Sequence, residues 1–255
     1  MIKKLLLKIY TCTLNSPEKT NKYQKLARDA EWSAISAYIK GGKFLDIGAG
    51  AGYSMQKALE MGNCEVFGID PNPRGHGVGR EGSNFELNLT IDTGYSEALP
   101  YATNTFDTVY SSHVLEHVTD MDKSLKEIKR VCKTDGIIII GVPTATMAVI
   151  NWATQILFTT HVKITSLFFG NLFNSTKVKW WEIIFPVSHS KPTRWIVDDI
   201  INYRIKKWTR IFEQQFDIQT VILPQLYPYP EFIQLFRSKR YKRMSSSVFF
   251  ICKKR

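Results

Sequence analysis

The stretch "FLDIGAGAGYSMQ" sets Gly48, Gly50 and Gly52 between an apolar run and a helix-forming segment, with carboxylates at Asp46 and, further on, Asp70. Glycine lacks a Cβ, so a loop built on it lets the backbone touch a ligand and accepts the positive φ of a tight turn. A helix that starts directly after such a loop offers free N–H groups to an anionic moiety. These are the parts of a nucleotide-type cofactor site. The run reads G-x-G-x-G, and Tyr53 stands where the dinucleotide fingerprint G-x-G-x-x-G has its third glycine. Asp70 follows Gly48 by 22 residues and closes an apolar segment. There a carboxylate can accept hydrogen bonds from both ribose hydroxyls. Asp46 suits two tasks, orienting the loop amides or meeting an ammonium. A dinucleotide has no general need of that second carboxylate, whereas a ligand carrying an amino group does.

Strands and helices in alternation must hold these residues. "NSPEKTNKYQKLARDAEWSAISAYIKGG" predicts a helix with Ser16 as N-cap, Pro17 at its first position and Gly41–Gly42 beyond its end. "KFLDIG" predicts a buried strand, "YSMQKALEMG" a helix and "CEVFGID" a second strand. After a Gly/Pro-rich loop over 71–82 that holds His76, with surface or a lid as its two readings, "FELNL" suggests a short strand. "TFDTVYSSHVLEHV" predicts a strand over 106–111 and then a turn, with His113 and His117 on one helical face. "DMDKSLKEIKRVCKTDG" predicts a helix with Asp120 near its start, Lys133 in its last turn and Gly136 after it. "IIIIGVP" is too β-branched and short for anything but a buried strand. Farther on, "TRWIVDDIINYRIKKWTRIFEQQF" predicts one helix, and "DIQTVILPQ" and "SSSVFFICKK" two strands. This rhythm implies parallel βαβ units with the cofactor at the carboxyl ends of the strands.

The 255 residues suffice for one elaborated α/β domain, and 44% hydrophobic with 22% charged residues is globular composition. The net charge of +11 points to an anionic partner or simply to solubility. Cys12, Cys64, Cys132 and Cys252 stand far apart with no C-x-x-C pair, which excludes a zinc site of that type and fits a reducing compartment. Cys64 and Cys132 sit in apolar surroundings and read as core. No metal ligand set is apparent. "MIKKLLLKIYTCTLN" has too short an apolar block for a signal peptide, and no stretch reads as membrane-spanning. The expected localisation is cytoplasmic, with peripheral attachment to the membrane face as an option.

"FLDIGAGAG", "VFGID", "SEALPYATNTFDTVYSSHVLEHV" and "EIKRVCKTDGIIIIGVP" together resemble a class I S-adenosylmethionine-dependent methyltransferase, more narrowly the group acting on small molecules, lipids and glycans. The resemblance spans about residues 40–144. It implies a Rossmann-like α/β fold, with a seven-stranded, mostly parallel sheet, helices on both faces and a final antiparallel strand. It also implies S-adenosyl-L-methionine as cofactor, with Gly48, Ala49, Gly50 and Gly52 on its methionine and ribose part and Asp46 beside them. Asp70 would hold the ribose hydroxyls, Tyr95, Ser96 and Glu97 would border the adenine, and Ser111, Ser112 and His113 would line the methionine side. Tyr95 replaces the acidic residue usual in the family, so the adenine amino group needs Glu97, a backbone carbonyl or stacking instead.

The domain division is then an N-terminal helical extension over 1–40 and a methyltransferase domain over 41–255, with an apolar acceptor-side insert at 145–190. Methyl transfer from a sulfonium rests largely on alignment, and an oxygen acceptor gains from a base in reach. His113 and His189 are the candidate bases. The insert either extends the core or meets a lipid or lipid-linked acceptor, with "RSKRYKRM", "KKR" and Lys3, Lys4 and Lys8 drawn to anionic headgroups. The expected activity is O-methylation of a small-molecule, glycan or lipid-linked cell-surface precursor. RNA methylation and non-catalytic cofactor binding are the alternatives. A Tyr203-x-x-x-Lys207 pair invites comparison with short-chain dehydrogenases, but the glycine spacing is wrong for them and the pair lies within a predicted amphipathic helix.

Overall fold

A computed structural model describes residues 17–80, 89–153, 196–227 and 244–255, with side chains from residue 24 onward. The "FELNL" segment, most of the 145–190 insert, His189, the 237–243 basic run and the N-terminal lysines fall largely or wholly outside them. The elements are helix α1 (Pro17–Ile35), a 3₁₀ turn (Ser36–Tyr38), β1 (Gly42–Ile47), α2 (Tyr53–Leu59), β2 (Cys64–Asp70), β3 (Asp92–Thr93), β4 (Phe106–Ser112), α3 (Met121–Val131) and β5 (Cys132–Pro143). A helical segment covers 145–153. Then come α4 (Ile196–Asn202), α5 (Ile205–Phe212), β6 (Phe216–Ile222) and β7 (Ser247–Lys254).

The seven strands form one sheet in the order β3-β2-β1-β4-β5-β7-β6. β1 to β5 are parallel, and β7 runs antiparallel between β5 and β6. This is the Rossmann-like sheet that the alternating pattern implies. The chain leaves β1 toward β2 and β3 and returns to β4 on β1's other side, which opens a crevice at the carboxyl ends of β1 and β4.

Successive strand residues point to opposite faces, so an unbroken apolar strand needs cover on both. In β5, Ile138, Ile140 and Val142 join one cluster with Leu125 and Ile128 of α3 and Trp208 and Phe212 of α5. Ile139 joins the other, with Ile35, Phe44, Tyr110 and Phe249, against which Trp32 packs. Helix α1 is thereby part of the second core layer. Among the described residues no helix is long and apolar enough to cross a membrane.

Four local expectations change. Asp120 does cap α3 by accepting from Lys123 N at 3.0 Å. The helix nevertheless stops at Val131, and Lys133 lies in β5 with Nζ 2.8 Å from both Asp107 carboxylate oxygens. The helix expected across 193–216 is two, α4 and α5, broken at Tyr203 and Arg204. Tyr203's carbonyl is taken by Ala145 N–H at 2.9 Å, and its ring is buried and stacked on Trp208, so tertiary contacts end the first helix. Tyr203 is a core residue between α4 and α5, and Lys207 of α5 bonds Asn202 Oδ1 through Nζ at the exposed surface. Cys132 is buried as expected, whereas Cys64 at the start of β2 is only partly so.

Candidate active site

The glycine loop leaves β1 with Gly48, Gly50 and Gly52 at φ of 74°, 56° and 90°. At Gly48 and Gly50 the absent side chain also makes room. A Cβ on Gly48 would meet Val114 Cγ2 at 2.1 Å, and one on Gly50 would meet the His76 carbonyl at 3.1 Å. Gly52 is different: it opens α2 as the left-handed N-cap and faces Leu89 and Ile91. It therefore shapes the turn and does not line the cleft.

Two cavities meet around this loop. The larger, about 370 Å³, is lined by Asp46, Gly48, Ala49, Gly50, Asp70, Ser112 and His113, together with Arg28, Tyr53, Ser54, Tyr110 and the 76–78 loop. The smaller, about 160 Å³, is lined by Gly94, Tyr95, Ser96, Glu97 and Thr119. Gly48, Pro71, Val114 and His117 line both, so the two form one elongated cleft along the crevice.

Asp70 is buried at the end of β2, where its Oδ2 accepts from Gly50 N–H at 2.8 Å and its Oδ1 from Asn72 N–H at 2.7 Å. It thus fastens the glycine loop to the second strand while facing the cleft. His76 Nε2 approaches it at 3.5 Å, so the "PNPRGHG" loop lies over the ligand side with the His76 side chain still exposed. Asp46 is 3% exposed and makes no hydrogen bond among the described residues. Burial first, and then the charge of Asp70, hold its carboxyl well above the ordinary range. A buried carboxylate without a partner, facing a cavity, is a place for a cationic group.

The adenine-side residues divide. Tyr95 is 66% exposed and borders the smaller cavity. Ser96 Oγ is turned inward to Ser124 Oγ at 3.0 Å. Glu97 accepts from Thr119 N–H at 3.0 Å and Asp120 N–H at 3.4 Å. Burial raises its pKa, and these backbone donors with Ser96 bring it below the usual value. On β4 the alternation is decisive. Tyr110 and Ser112 line the larger cavity, while Ser111 is buried on the opposite face and lines neither. The expectation of a cleft-facing Ser111 is corrected by that one-residue parity.

His113 sits at φ 57° after β4, in a turn and not on a helical face with His117. Its Nε2 lies 3.2 Å from Glu31 Oε1 and its Nδ1 3.5 Å from Glu116 Oε1. Burial and Arg28 lower its pKa, but the two carboxylates outweigh them and the net shift is upward. A carboxylate beside each ring nitrogen favours the protonated imidazole. Glu31 also accepts from Arg28 and from Tyr227 OH. Burial opposes its ionisation, yet Arg28 and His113 bring its pKa far down. No local signal in the sequence marks Glu31 and Tyr227, whose contacts with His113 and with each other span 82 and 196 residues. Tyr110 had a usable signal, its position two residues before Ser112 on the same strand face.

Fold and cleft together define a class I S-adenosylmethionine-dependent methyltransferase, with S-adenosyl-L-methionine as its cofactor. Residues 45–140 match the family model of the methyltransferase domain. It is 27% identical over 128 residues to the ubiquinone/menaquinone biosynthesis C-methyltransferase of Geotalea uraniireducens, covering 46% of this chain and 53% of that protein. It is 32% identical over 105 residues to the ubiquinone biosynthesis O-methyltransferase of Azorhizobium caulinodans, covering 40% and 41%. The chain thus spans about half the length of the curated relatives it matches. In fold it is similar to a methyltransferase structure from Thermotoga maritima, with TM-score 0.56, 18% identity and coverage of 97% and 99%. The residues present fit the cofactor. The Gly48 and Gly50 positions form a cradle that a Cβ would fill, and Asp46 offers an unpartnered carboxylate to an amino group. When bound, the cofactor supplies an electrophilic methyl on a sulfonium.

Proposed function

We propose that the protein transfers a methyl group from S-adenosyl-L-methionine to an oxygen of an apolar small molecule. The observation that carries this reading is the elongated cleft at the carboxyl ends of β1, β2 and β4, with Asp46 unpartnered in one arm and Tyr95 bordering the other. In it Asp46, Gly48, Ala49, Gly50, Asp70 and Ser112 hold the methionine and ribose part, and Tyr95, Ser96 and Glu97 frame the adenine. The chain's main contribution near the methyl group is alignment and exclusion of water, and His113 in the cavity wall is a candidate base for the acceptor oxygen. His189 stays the second candidate, from outside the described residues.

For the acceptor, the names of the relatives point to quinones methylated on carbon or oxygen. The apolar 145–190 stretch and the basic ends support a lipid-linked or glycan-containing cell-surface precursor handled at a membrane face. Incubation with methyl-labelled cofactor and, in parallel, a quinol set, lipid extract, surface polysaccharide and RNA tests this. Label in a quinol or lipid fraction, absent with Asp70→Ala, is expected. Label in RNA alone, or in none of the fractions despite cofactor binding, would overturn the acceptor reading.

A further inference from the structure

We propose that His76, in the loop after β2, hydrogen-bonds a ribose hydroxyl of the cofactor, so that the sugar is held between this loop and Asp70. This rests on the methyltransferase reading, which by itself gives the ribose hydroxyls to Asp70 alone.

The loop reaches the cleft because its backbone is fastened to the strand ends that carry the site. Asn72 N–H donates to Asp70 Oδ1 at 2.7 Å, and Arg74 N–H donates to the Gly50 carbonyl at 2.8 Å. Arg74 Nη2 donates to the Leu89 carbonyl at 3.0 Å, and Val78 is buried. Among these fastenings His76 lines the larger cavity together with Gly50 and Asp70. A Cβ on Gly50 would stand 3.5 Å from both Cδ2 and Nε2 of the imidazole, so one edge of the ring lies across the glycine. That edge also faces the carboxylate, with Nε2 3.5 Å from Asp70 Oδ2. The side chain is 58% exposed, so it can turn toward a ligand without disturbing the core.

Asp70 Oδ2 accepts from Gly50 N–H and keeps a second acceptor site. A ribose hydroxyl has one donor and two lone pairs, so it can donate to that site and still accept from His76. The neighbouring carboxylate favours the tautomer with the proton on Nε2, which is the donor this needs. A hydroxyl oxygen about 2.7–3.0 Å from each atom closes a triangle on their 3.5 Å separation. Asp70 thus takes the hydroxyl's proton side and His76 its lone-pair side.

Three ligands test this by calorimetric titration into the unmodified protein and His76→Ala: S-adenosylhomocysteine, the demethylated product of the cofactor, and its 2′-deoxy and 3′-deoxy forms. S-adenosylhomocysteine should bind the variant about 3- to 10-fold more weakly, the effect of losing one hydrogen bond. At least one deoxy ligand should bind both proteins equally, which names the hydroxyl that His76 contacts. His76→Gln, whose side-chain amide can donate from near the place of Nε2, should recover part of the loss. Equal weakening of all three ligands would assign His76 a role in loop shape alone and overturn the proposal. Unchanged or tighter binding of S-adenosylhomocysteine would overturn it too, since the imidazole would then merely cover the site. If the unmodified protein binds none of the three, the cofactor reading itself fails, a result distinct from the others.

Discussion

Gly48→Ala is the sharpest test of the loop, because its effect can be divided into two parts beforehand. The φ of 74° places the residue in the left-handed region, where a side chain costs about 1–2 kcal/mol. The new Cβ would also stand 2.1 Å from Val114 Cγ2, an overlap that only displacement of Val114 relieves, at a further cost of about 1–3 kcal/mol. Gly62 provides the control, since its φ is 78° and a Cβ there meets nothing within 4 Å. In urea denaturation Gly62→Ala should therefore lose about 1–2 kcal/mol and Gly48→Ala about 2–5 kcal/mol. Val114 lines both arms of the cleft, so its displacement should also weaken S-adenosylhomocysteine binding, which Gly62→Ala should leave intact. In a Val114→Ala background the added cost of Gly48→Ala should fall to that of Gly62→Ala. If Gly48→Ala is no more harmful than Gly62→Ala in the unmodified background, the contact between loop and post-β4 turn does not exist as described.

Glu31→Ala should cost about 3–5 kcal/mol in urea denaturation, since it leaves Arg28 and His113 without their shared buried anion. Glu31's depressed pKa contributes stability above its unfolded value that disappears as pH falls through the carboxylate range. His113's raised pKa contributes stability below 6.5 that disappears as pH rises through the higher folded value. The variant should lose the Glu31 limb and weaken the His113 limb, which Glu116 still supports, and an unaltered pH–stability curve would refute the network. Asp46 has the opposite sign to Glu31. Its raised folded pKa gives the ligand-free protein stability that is lost as pH rises above the ordinary carboxylate range, so Asp46→Asn should flatten that slope in melts while weakening S-adenosylhomocysteine.

The sequence by itself determined what is local. Glycines at alternate positions, a carboxylate at the end of the second strand and apolar segments of strand length are short-range signals, and they led to the sheet, the crevice and Asp70. Steric demand at Gly48 and Gly50 and the alternation of buried strands are written in neighbouring residues, so they survive without a tertiary context. Tertiary structure alone decided the rest. Whether Ser111 or Ser112 faces the cleft depends on strand parity against two core layers. The break at Tyr203 depends on Ala145, which takes its carbonyl. The charged surroundings of His113 were decided by Glu31, which reaches it from a helix 82 residues earlier, and by Glu116 from the turn just beyond. Charges act through space over a few ångströms, and nothing in the spacing of His113, Arg28, Glu31 and Tyr227 along the chain reveals that folding brings them together.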